Sequence, residues 1–160
     1  MTIIYLPPNI INIDGVDIMF KEKRELIRAK LKKIYKEDNQ IIPISESEMD
    51  TIYLRRDIYS DKNTSSYFFF LGYNNEDSLS DLEVHNCERI MVNNFSFGFS
   101  DNLDYIASEL ARYSSVNKKA KGEYFFKEIK VSILDEMQMG GEGSSLAYFY
   151  CAENVNHLED

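Results

Sequence analysis

The chain has 160 residues, a net charge of -9, 44% hydrophobic and 28% charged residues, no Trp, eleven Tyr and ten Phe. This balance excludes a disordered or fibrous chain, and the length suits one domain that buries roughly 70% of its unfolded surface. The negative charge disfavours direct binding to nucleic acid phosphates.

Thr2 to Leu6 reads as a strand stopped by Pro7 and Pro8. The start MTIIYLPP has neither basic residues nor a long apolar run, so no signal peptide is expected there. Residues 10–19 alternate around Asp14-Gly15, a hairpin signal because the tight turn needs positive φ at both central positions. Residues 20–37 carry Ile27, Leu31, Ile34 and Tyr35 at helical spacing, which predicts a long helix. Its other face holds Lys21, Lys23, Arg24, Arg28, Lys30, Lys32, Lys33 and Lys36, read as a solvated polar face; a basic anion-binding patch is the alternative.

Ile41 to Ile44 reads as a short edge strand, since Pro43 removes a ladder donor. Ser45 to Glu48 resembles a capping box, but Thr51 onward favours a strand with Ile52, Leu54 and Ile58 on one face. After the polar loop 60–66, the run SYFFFLGY at 66–73 predicts a central strand covered on both faces. Residues 74–83 read as an acidic loop, and 88–99 resume the sheet with Phe95, Phe97 and Phe99 on one side. Ser100 or Asp101 then caps a helix over about 102–113, with Leu103, Ile106, Ala107 and Leu110 as its core stripe. Residues 123–135 and 144–153 read as two further strands, and the tail 154–160 is expected to fray.

Two helices among many hairpins predict one α+β domain over 1–160 with a largely antiparallel sheet. No window approaches the ~18 apolar residues of a membrane span. Cys87 and Cys151 stand outside any CxxC, and a cytoplasmic chain with reduced thiols is the simplest expectation.

The glycine-rich stretch DEMQMGGEGSSLAYF, 135–149, is weighed as a phosphate-binding loop and rejected. A phosphate loop needs Lys and Ser or Thr after its last Gly, then a helix. Here Ser144 follows Gly143, the next segment reads as a strand, and Glu142 puts a carboxylate where a phosphate would lie. A hairpin tip with Met137 and Met139 fits the same residues. His85 and Cys87 are two apart, without further ligands at metal-binding spacing. No catalytic motif is present, so no catalytic residue, cofactor or metal is assigned.

The charge is uneven. Residues 1–44 carry eight Lys or Arg and six Asp or Glu, residues 45–110 four and thirteen, and residues 111–160 six and eight. Tyrosines accompany the central acids, and together these residue types suit docking on a basic protein. The candidate contacts are Tyr73, Glu76, Asp77, Asp81, Glu83 and, in the glycine-rich loop, Glu142. The bland reading is that the acids serve solubility and the tyrosines pack over the sheet.

With acidic, tyrosine-bearing segments such as YNNEDSLSDLE and sheet segments such as ERIMVNNFSFGF, the chain resembles small acidic bacterial immunity proteins. These belong to contact-dependent growth-inhibition and related polymorphic toxin systems. The resemblance implies a non-enzymatic inhibitor that binds one cognate toxin domain, often a nuclease, and blocks its active site or a nearby surface. It assigns no residue as a contact, and it leaves the oligomeric state open. An enzyme with a motif-less active site is the alternative, followed by an accessory protein such as a secretion chaperone or a phage anti-host factor.

Overall fold

A computed structural model describes residues 1–43, 51–60 and 66–158. The chain is α+β, with two α-helices and mostly antiparallel strands. In chain order the elements are β1 Thr2–Leu6, β2 Ile10–Ile13, β3 Val16–Met19, α1 Arg24–Leu31, β4 Tyr35–Pro43, β5 Thr51–Ser60, β6 Phe68–Tyr73, β7 Leu79–Asn86, β8 Arg89–Val92, β9 Phe95–Phe97, α2 Leu103–Leu110, β10 Val116–Ala120, β11 Glu123–Phe126, β12 Val131–Asp135 and β13 Leu146–Ala152. A short 3-10 turn follows at Asn156–Leu158. None of the described helices is long and apolar enough to cross a membrane.

The strands form two sheets. The smaller runs β3-β2-β1-β8-β9, and the larger runs β10-β11-β12-β13-β7-β6-β5-β4. Every neighbouring pair is antiparallel except β1 and β8. Strand alternation sends one set of side chains from each sheet inward. Ile3, Tyr5, Ile11, Ile13, Ile18, Ile90 and Phe97 of the small sheet join Tyr59, Phe69, Leu71, Val84 and Phe149 of the large one in one buried cluster. Phe97 and Phe149 meet across the gap, with ring centroids 6.1 Å apart. Both helices add to this inner side: Ile27 and Leu31 from α1, and Leu103, Ile106 and Leu110 from α2.

Several local expectations hold. Asp14 and Gly15 have φ 49° and 87°, as the β2–β3 turn demands. Segment 135–146 joins antiparallel β12 and β13, so the glycine-rich stretch is a hairpin connection. Residues from Thr51 onward are a strand. The capping-box residues 45–48 lie outside the described residues, as do 61–65 of the polar loop.

Other expectations fail for identifiable reasons. The long helix over 20–37 shrinks to Arg24–Leu31, because Lys32 takes the left-handed conformation that ends helices, and Tyr35 already starts β4. The basic face of that helix is not wholly solvated: Arg24 is buried. On β5 the core face is the one bearing Asp57 and Tyr59, whereas Ile52 is half exposed. Only one face of β6 enters the core; Phe68 and Phe70 stay partly exposed. The acidic loop is confined to the turn before β7, which starts at Leu79. Segment 88–99 does not continue the sheet of β6 and β7; its strands β8 and β9 join the smaller sheet beside β1. Asn102 caps α2 by accepting from the Tyr105 N–H, while Asp101 accepts from Gly98. The strand read at 123–135 breaks into β11 and β12 around Lys130, whose φ is 55°.

Candidate protein-interaction face

The inner and outer faces of the large sheet have opposite chemistry. On the inner face, Asp57 is fully buried between two arginines. Arg24 donates to it at 2.6 and 3.1 Å, and Arg28 at 2.7 and 2.8 Å. Arg24 also lies 4.8 Å from the Tyr73 ring centroid, and Arg28 4.2 Å from that of Tyr35. Burial alone would raise the Asp57 pKa, but the hydrogen bonds and charges of Arg28 and Arg24 outweigh it and the net shift is downward. This cluster ties α1 to β5, and all three members have charged partners inside the fold.

The outer face carries a row of aromatic rings. Phe68 stacks on His85 with centroids 5.0 Å apart, and Phe70 lies 4.6 Å from the same imidazole. Tyr148 meets His85 edge-on at 5.4 Å and runs parallel to Tyr150 at 6.3 Å. These side chains come from β6, β7 and β13, whose pairing places Phe70 opposite Glu83 and Glu83 opposite Tyr150. Neighbouring rings cover one another, which lowers the cost of placing such an apolar strand as β6 on this face. Arg56 sits 4.5 Å from the Phe70 centroid, its charge engaged by Asp38 at 2.7 Å. At one end of the outer face, Val155 and Leu158 pack with Phe125 and Tyr150; along the rest of the row the side chains are half-buried.

The predicted contact residues separate into three groups. Asp81 and Glu83 lie together on β7 in the outer row. Ser80 Oγ is 2.5 Å from Asp81, and the Glu83 carboxylate lies 3.5 Å from His85 Nε2. The position opposite Asp81 is Gly72, where any Cβ would collide with the carboxylate. Tyr73 and Asp77 belong to the buried arginine cluster. Tyr73 is 5% exposed, so it does not reach a partner, and Asp77 accepts from Arg55 at 2.6 Å. Glu76 is exposed in the β6–β7 turn, where its carbonyl accepts from Lys23 at 2.8 Å. Glu142 is exposed in the separate β12–β13 hairpin, with Met137 and Met139.

The outer acids are felt by the tyrosines beside them. Burial first, then the negative charge of Glu83 for Tyr148 and of Asp81 for Tyr150, lifts both phenols well above the ordinary tyrosine value. The face is therefore aromatic and electronegative together. Sequence reading found Asp81 and Glu83 but not Phe68, Phe70, Tyr148 and Tyr150 beside them. The available signal was the alternation of aromatic residues in SYFFFLGY and LAYFYC, which places every second ring on the far side from the core.

Cys87 and Cys151 are both buried and unbridged, and burial raises their thiols above the ordinary value. Among the described residues, no three His, Cys, Asp or Glu side chains gather as metal ligands would. Comparison with protein-family models, curated proteins and solved structures finds no match to this chain.

Proposed function

We propose that the chain is a non-enzymatic binding protein whose outer aromatic and acidic sheet face holds a basic protein partner. The observation that carries this reading is the juxtaposition of Asp81 and Glu83 with Tyr148 and Tyr150, all half-buried, on the outer face of the large sheet. Tyrosines bury much area at small conformational cost, and carboxylates speed and orient the encounter with a basic surface. In the immunity-protein reading of the sequence, the partner is a toxin domain and the acids stand where a nuclease would meet phosphates.

The test is affinity capture from the source organism with the wild-type protein and with Glu83→Lys, each first shown to be folded by circular dichroism. Retention of a basic protein by the wild type and its loss from the variant is the expected outcome. Equal retention by both proteins contradicts the assignment of this face.

A further inference from the structure

A notch with a defined chemistry lies on the outer face. It has a volume of about 210 Å³ and is lined by Glu123, Ser132, Leu134, Tyr148, Tyr150 and Leu158. Small-molecule sites usually span about 300 to 1,000 Å³. The notch is thus undersized for a cofactor and suited to one long side chain.

Its lining specifies which side chain. The Glu123 carboxylate has no hydrogen bond or ion pair with any described residue, so a cation is required to neutralise it on burial. Ser132 is only 6% exposed, and its hydroxyl has no hydrogen-bond partner among the described residues although it borders the notch. The hydroxyl can therefore accept a hydrogen bond from a donor entering the notch. Tyr148 and Tyr150 lie parallel to within 8°, presenting flat rings to a planar group. Leu134 and Leu158 supply apolar contact for an aliphatic stem.

A planar, permanently charged guanidinium on a three-carbon stem meets all four conditions; an ammonium cannot stack in the same way. We infer that this notch seats an arginine side chain of the protein partner, with Glu123 accepting from the guanidinium and the tyrosines flanking it. The inference rests on the proposed reading of the face as a protein-docking surface, and it makes Glu123 and Ser132 specificity-determining residues.

The experiment uses N-acetyl-arginine amide as the probe, titrated into isotope-labelled protein and followed by nuclear magnetic resonance. The predicted result is saturable shifts at Ser132, Leu134 and Leu158, with affinity in the millimolar range as for a single anchored side chain (about 1 mM). N-acetyl-citrulline amide, the neutral isostere, should give no saturable shift, and N-acetyl-lysine amide a weaker one. Glu123→Gln should weaken arginine binding about tenfold or more, and Ser132→Ala should weaken it by less. Equal binding of the citrulline probe, an unchanged affinity in Glu123→Gln, or shifts confined to other parts of the surface would overturn the inference. Glu83 lies outside the lining of the notch. Partner capture that still depends on Glu83 while the arginine probe fails would therefore remove the notch and leave the docking face standing.

Discussion

Asp57 shows how far one residue's role can differ from its local sequence. It sits between Arg56 and Ile58 in a strand that reads as apolar on its other face, yet it is fully buried and bonded to Arg24 and Arg28 from α1. A buried ion cluster adds little net stability compared with apolar packing, but removing one member leaves the others unpaired. Asp57→Asn should therefore cost about 3 to 5 kcal/mol, measured by urea unfolding near neutral pH. The same carboxylate makes acid stability testable. Its folded pKa is depressed, so its contribution is complete above the unfolded value of about 3.9 and is lost as the pH falls through the lower folded value. Wild-type stability should drop across that acidic window, and Asp57→Asn should show a shallower drop.

Among the elements, the β4–β5 ribbon differs from the rest of the large sheet. Among the described residues, 56–59 of β5 pair with both β4 and β6, Ser60 pairs with β6, and 51–55 pair with β4 alone. The distal part exposes Ile41, Ile42, Ile52 and Tyr53, with Ile41 at 70%. A two-stranded ribbon without a third strand or a covered face is marginal in water. Amide hydrogen exchange at 51–55 should be about a hundredfold or more faster than at 56–60; equal protection along β5 would contradict this view of the ribbon. The ribbon also explains the largest misreading of the sequence. Ile27, Leu31, Ile34 and Tyr35 continue one helical stripe, but the left-handed Lys32 ends the helix, and pairing of Tyr35 with Tyr59 draws the chain into the sheet. Local periodicity cannot register that tertiary pairing. By contrast, the Asp14-Gly15 turn and the glycine-rich hairpin were legible because their chemistry is carried by adjacent residues.

At the scale of the whole molecule, the described acids of the central third are divided among separate environments. Asp57 and Asp77 are engaged by arginines, and Glu88 lies 3.5 Å from the N-terminal amine. Asp81 and Glu83 stand on the outer face instead, beside rings that come from strands far apart in sequence. The α+β class could be read from the sequence, and Asp81 and Glu83 were candidates there. Ring alternation along each strand was legible, but which strands set those rings beside the acids was not, because the pairing of β7 with β13 joins segments more than sixty residues apart. The measurement that tests the account most directly is the association rate of the captured partner with wild type and Glu83→Lys at low and high salt. Steering by exposed carboxylates weakens as the Debye length contracts from about 30 Å at 0.01 M to about 8 Å at 0.15 M. The account predicts a rate that falls with salt in the wild type and is slower and less salt-dependent in the variant. A rate that is unchanged by salt and identical in the two proteins would contradict it.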